Sequence, residues 1–138
     1  MEQLSVLLEN KVGHLAEVTG ILDAAGVRIK TLVLADTSEF GILRLIVDKT
    51  EEAYRALHDK GFTAGRTEVV ALGLDTEAGR LRAILALLGE SAINVEYMYA
   101  CPGSTGGKNV IICRFDKIEK AVDILQANGV HIFSSSEI

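Results

Sequence analysis

The chain has 138 residues, 49% of them hydrophobic and 24% charged, which suits a buried core and excludes disorder by composition. Its net charge of −5, with no basic stripe, sets it against nucleic acid and anionic membrane, because binding phosphates takes clustered Lys and Arg. The aromatics are three Tyr and four Phe with no Trp, so stacking platforms for bases are lacking as well.

Met1-Glu2-Gln3 leads directly into a patterned strand, with no signal-peptide regions. No apolar run approaches the roughly 18 residues of a spanning helix. The expected compartment is the cytosol. Gln3 to Glu9 alternates in its first part and reads as a strand. From about His14 to Ala25, Leu15, Val18, Leu22 and Ala25 recur at helical spacing, with Gly26 placed to end the helix. Val27 to Ala35 and Gly41 to Val47 are β-rich. In the second run Leu43, Leu45 and Val47 share one face, opposite Ile42, Arg44 and Ile46. Thr50 to Lys60 predicts a helix with Thr50 as N-cap, Glu51 and Glu52 in its first turn, and Gly61 past its end. Phe62 to Leu72 is extended, and from Glu68 it runs on to Leu74 as the next strand. Arg80 to Glu90 is a helix with Leu81, Ile84, Leu85 and Leu88 on one face. Asn94 to Cys101 and Asn109 to Phe115 are strands, Lys117 to Asn128 is a helix, and Val130 to Ser134 is the last strand.

The second half of this list repeats the first. A shift of 66 positions lays Leu4, Val6, Leu8, Gly13, Leu15 and Leu22 on Val70, Leu72, Leu74, Gly79, Leu81 and Leu88. Beyond the middle of each half the shift is 68, placing Gly41, Asp48, Leu57 and Gly61 on Asn109, Asp116, Leu125 and Gly129. A two-residue insertion within Cys101 to Lys108 accounts for the change. The expected fold class is therefore α+β: two ferredoxin-like βαββαβ units, residues 1–68 and 69–138, each an antiparallel sheet with two helices on one face. Ile42, Ile46, Val110 and Ile112 make the other face of the central strands apolar, which predicts that something covers it.

Several functions of this topology are excluded. The central strands, Gly41-Ile42-Leu43-Arg44-Leu45-Ile46-Val47 and Asn109-Val110-Ile111-Ile112-Cys113-Arg114-Phe115, carry one aromatic between them, against RNA recognition. Neither first loop has Cys-x-x-Cys. Cys101 and Cys113 are too few for an iron–sulfur cluster, a four-thiolate metal site or a disulfide framework. Cys113 shares a face with Ile111 and Phe115 and reads as a buried small hydrophobe. His14, His58 and His131 are scattered, so no metal site is expected. The stretch Pro102 to Asn109 lacks phosphate-loop spacing and reads as a flexible hairpin loop. Ser134 to Glu137 reads as a fraying end. No residue grouping supports acid–base or nucleophilic catalysis, and the expectation is that the protein is not an enzyme and carries no cofactor.

The segment Leu4-Ser5-Val6-Leu7-Leu8-Glu9-Asn10-Lys11-Val12-Gly13-His14-Leu15 resembles the opening of an ACT domain, the amino-acid-binding regulatory module of amino-acid metabolism. Gly26-Val27-Arg28-Ile29 and Ala92-Ile93-Asn94-Val95 are similar to the family's second-strand entry, and Gly61-Phe62 and Gly129-Val130 agree with it. The resemblance covers nearly the whole chain twice. Departures are Val12 and Ala78 where the family has Pro, Arg28 where it has Asn, and Asp75, Thr76 and Glu77 in place of a loop Asn. These make the two sites unequal.

A free amino acid offers a carboxylate, an ammonium and a side chain. The turn into the first helix of each unit offers unpaired N–H groups and a positive dipole end, which suit the carboxylate. Gly13 and Gly79 permit close backbone approach, though a Gly before a helix is also plain turn chemistry. Asn10 has an amide that both accepts and donates, yet it can equally cap the loop. Asp75 or Glu77 is suited to the ammonium. The resemblance implies that Asn10, Lys11, Val12, Gly13, His14 and Leu15 face Asn94, and that Asp75, Glu77, Ala78, Gly79, Arg80 and Leu81 face Arg28. Arg28 also fits a solvent-facing strand position. The resulting expectation is an allosteric sensor of a free amino acid, forming a homodimer and signalling to a metabolic enzyme. The alternative is a ligand-free oligomerisation subunit that uses its sheet faces.

Overall fold

The computed structural model describes residues 1–36 and 39–138. The chain divides into two compact units, Glu2–Thr67 and Met1 with Glu68–Ile138. In the first, β1 (Glu2–Glu9), α1 (His14–Ala24), β2 (Ile29–Asp36), β3 (Phe40–Val47), α2 (Thr50–Asp59) and β4 (Thr63–Glu68) form a four-stranded sheet of order β2-β3-β1-β4. In the second, β5 (Val70–Leu74), α3 (Arg80–Glu90), β6 (Val95–Thr105), β7 (Lys108–Phe115), α4 (Ile118–Ala127) and β8 (Ile132–Phe133) repeat it with order β6-β7-β5-β8. Each sheet is antiparallel with two helices, as the repeat predicts.

Alternation along the strands decides which side chains form each core. Leu4, Val6 and Leu8 of β1 pair in register with Leu45, Leu43 and Gly41 of β3. They pack with Val18, Leu22, Ala53 and Leu57 of the helices. Val70 and Leu72 with Cys113 and Phe115 meet Ile84, Leu88, Ala121 and Leu125 in the second unit. Each fully buried Leu or Phe contributes about 1.5–3 kcal/mol by leaving water. On the opposite face Ile46, Val110 and Ile112 are buried, whereas Ile42 is exposed.

All four helices end the same way. The N–H groups of Val27, Phe62, Ile93 and Val130 reach back five residues to the carbonyls of Leu22, Leu57, Leu88 and Leu125 at 2.9–3.1 Å. The residue before each has a positive φ: Gly26, Gly61 and Gly129, but Ala92 in the third helix, at 57°. A second repeated device fixes the start of the third segment in each unit. Asp48 Oδ1 accepts the Arg28 N–H at 2.8 Å, and Asp116 Oδ1 accepts the Asn94 N–H at 2.9 Å.

Four expectations need correction. Pro102 to Asn109 is not a loop: β6 runs to Thr105 and β7 starts at Lys108, joined by the two-residue turn Gly106-Gly107. Both glycines have positive φ, 59° and 78°, as a primed hairpin turn requires, and the surplus residues are absorbed by a bulge between Cys101 and Ser104. The end of the chain is not frayed, because Ser134 and Glu137 form a capping box around a short 3-10 turn, Ser135–Glu137. Lys49, not Thr50, is the N-cap of α2, and its ammonium instead bonds the Gly26 carbonyl at 3.3 Å. The last strand is only Ile132–Phe133.

Candidate functional site

The sheet register separates the candidate residues within each unit. Glu9 stands opposite Phe40 at one end of the first sheet, and Ile29 stands opposite Val47 at the other. The β1–α1 loop leaves from the first end, and Arg28 precedes β2 at the second. Asn94 precedes β6 in the same way, opposite the end from which the β5–α3 loop leaves. Arg28 and Asn94 are both exposed.

In the first loop, the Asn10 N–H donates to the Glu39 carbonyl at 3.0 Å. The Glu9 N–H donates to His14 Nδ1 at 3.0 Å, which folds the imidazole back over the strand end. That ring lies 5.1 Å from the Phe62 ring. Gly13 enters α1 at φ 85°, and no side chain caps the helix. Lys11 pairs with Glu9 at 3.1 Å on the surface, and Val12 is fully solvent-exposed.

Two clefts flank this loop. The larger, 410 Å³, is lined by Leu7, Glu9, Lys11, His14, Phe40 and Phe62 among others. The smaller, 270 Å³, is formed by Leu8, Asn10, Leu15, Leu34 and Gly41, again with Glu9 and Lys11. Packing is close there: a Cβ at Gly41 would lie 3.1 Å from Leu34 Cδ1. The structure therefore brings Asn10, Lys11, His14 and Leu15 together around concave surface. It adds Phe40, Phe62 and Leu34, which the sequence reading missed. Only an aromatic or Leu at a strand end hinted at them.

The second loop is occupied by its own side chains. Asp75 accepts a hydrogen bond from the Lys108 ammonium and pairs with Arg80 at 3.3 Å. The Lys108 hydrogen bond, with the nearby Lys108 and Arg80 charges, holds the Asp75 carboxyl below its ordinary value. Gly79 enters α3 at φ 86°, again with no side-chain cap. Glu77, Ala78 and Leu81 are exposed. A 310 Å³ cleft nearby is lined by Arg80, Ala83, Leu87, Asn128 and Val130, and Asp75 is not part of it.

Among the described residues no group of three His, Cys, Asp or Glu side chains could hold a metal ion. Burial pushes the Cys113 thiol up to about 12, which makes it a packing group and not a nucleophile. No helix among the described residues is long and apolar enough to cross a membrane.

Two four-stranded antiparallel sheets, each backed by two helices and each with a glycine-led loop at the first helix, define a tandem ferredoxin-like protein. A family model described as an ACT domain pair matches residues 1–138, and the chain belongs to that family. The crystal structure of protein BT0572 from Bacteroides thetaiotaomicron is similar over 99% of this chain and 93% of that one, at 32% identity and a TM-score of 0.91. The ligand-free regulatory subunit of aspartate kinase from Thermus thermophilus shares the fold over 93% of this chain and 92% of its own, at 15% identity and a TM-score of 0.63. The Clostridium acetobutylicum aspartate kinase shares it over 91% of this chain and 32% of its own, at 16% identity and a TM-score of 0.55. A search of curated proteins gave no match. Family and fold together support a regulatory role based on binding a small molecule.

Proposed function

We propose that this protein binds a free amino acid at the β1–α1 loop of its first unit and passes that signal to a metabolic enzyme, without catalysing a reaction itself. One observation carries the reading: the Asn10–Leu15 loop is an uncapped helix start walled by two open clefts. In the smaller cleft the carboxylate meets the first N–H groups of α1, and the Asn10 amide serves ammonium and carboxylate alike. Leu8, Leu15 and Leu34 then receive the side chain. Arg28 and Asn94 are kept as secondary contacts on the strength of the resemblance alone. A ligand of this kind acts through unequal affinity for two arrangements of its host.

Thermal unfolding against each of the twenty amino acids at millimolar concentration tests the proposal. A ligand at about 100 times its dissociation constant stabilises by roughly 2.7 kcal/mol, which raises the midpoint visibly. One amino acid or a related group is expected to do so, with the effect reduced by Asn10→Ala. No response to any of the twenty contradicts the proposal.

A second reading rests on a different observation. Leu7, Phe40 and Ile42 are exposed on the sheet face turned away from the helices, with Leu32 and Leu34 exposed on the edge strand. A ligand-free subunit would use the face of Leu7, Phe40 and Ile42 for assembly, as a homodimer. A dimer by light scattering, with no amino-acid response, would favour it.

A further inference from the structure

We propose that the loop of the second unit is closed by a built-in occupant, Lys108, whose ammonium takes the place on Asp75 that a ligand's ammonium would take, so that the chain has one open amino-acid site and not two. The inference rests on the reading that these loops bind amino acids, and it adds which of them is available.

The repeat permits a direct comparison. Under its two offsets Asp75 corresponds to Glu9, Lys108 to Phe40 and Gly73 to Leu7. In the first unit Glu9 pairs with Lys11 at the surface, Phe40 carries no charge, and Glu9 lines both open clefts, the 270 Å³ one of the proposed ligand included. In the second unit the same positions make a filled arrangement. Lys108 Nζ donates to Asp75 Oδ1, and Arg80 holds Oδ2 at 3.3 Å. Both carboxylate oxygens therefore have cationic partners.

The lysine stem is also seated. It lies over Gly73, where a Cβ would come within 2.9 Å of Lys108 Cδ and 3.1 Å of the Phe133 ring. A residue with the bulk of Leu7 would not fit under it. The tight Gly106-Gly107 turn begins β7 at Lys108, paired with Thr105, so the backbone that carries the ammonium is fixed. An ammonium tethered this way faces Asp75 at an effective concentration of roughly millimolar or more. The ammonium of a free amino acid would have to displace it from Asp75.

Two measurements on the full chain decide the matter. The first needs no ligand. Limited acetylation with acetic anhydride, read by mass spectrometry, should label Lys108 several-fold more slowly in wild type than in Asp75→Asn. Equal labelling of Lys108 in wild type and Asp75→Asn would overturn the proposal. The second is equilibrium dialysis with each of the twenty amino acids. Wild type should take up one equivalent per chain, and Lys108→Met, which keeps the stem and deletes the charge, should take up two. Two equivalents in wild type, or one in a folded Lys108→Met variant, would contradict closure by Lys108 while leaving the sensor reading intact. No uptake by either protein would instead defeat the sensor reading, and the acetylation result would still judge Lys108.

Discussion

Ala92 holds φ at 57° in a position that three glycines fill at the ends of the other helices. A left-handed conformation costs an L-residue roughly 1–2 kcal/mol, partly offset because alanine also restricts the unfolded chain. Ala92→Gly is therefore expected to stabilise by about 0.5–1 kcal/mol in urea unfolding, a net gain consistent with those two terms. Gly26→Ala should lose about 1 kcal/mol from backbone strain alone, because the nearest atom to an added Cβ is Lys49 Nζ at 3.9 Å. Asp48 gives a pH prediction. The Arg28 N–H it accepts holds its carboxyl below the ordinary value, and the Arg28 and Lys49 charges act the same way. Because the folded value is the lower one, this stabilisation is fully present above the unfolded value of about 3.9 and is lost as pH falls through the folded value. Asp75, lowered by Lys108, behaves likewise. Acid unfolding should thus begin below about pH 4, and Asp48→Ala should flatten that limb of the stability curve. The sequence showed Asp48 and Asp116 only as matching positions. Which N–H each accepts depends on how the strands are joined, and composition does not carry that.

At the scale of elements, periodicity was a good guide where one face is apolar, as in α1 and α3, while β2 and β3 were legible from β-rich composition and β4 only as part of an extended stretch. It failed where backbone geometry decides. The glycine-rich stretch around Gly106 suggested a loose loop, yet paired positive φ values make Gly106-Gly107 a strand-to-strand turn. Asn is well suited to the first position of such a turn, so Gly106→Asn should leave stability within about 0.5 kcal/mol. Replacing both glycines with Val should cost at least about 1 kcal/mol at each position, measured by thermal unfolding, because a β-branched side chain opposes this conformation. The clefts beside the first loop were illegible for another reason. Asn10 and His14 are neighbours in sequence, but Leu34 and Phe40 arrive from β2 and β3, and Phe62 from the residue before β4. Their meeting depends on register, which places Phe40 opposite Glu9.

For the whole molecule, the twofold repeat is the organising fact, and it was plain from the two offsets. The loop departures already made the two sites unequal; what the repeat hid is which side chains fill the second loop. One copy presents open surface around an uncapped helix, and the other ties its carboxylate to Lys108 and Arg80. The cores remain equivalent: Leu45→Ala and Leu125→Ala, both fully buried, should each cost about 2–5 kcal/mol in urea unfolding. A sensor needs such stable frames with a site that is left unfilled. The most direct test is an amide chemical-shift map of the protein titrated with the amino acid that raises its unfolding midpoint. The account predicts that Asn10, Lys11, Gly13, His14 and Leu15 shift in a saturable way while Asp75 to Leu81 stay in place. Saturable shifts confined to the second loop, or none at Asn10 to Leu15, would contradict it.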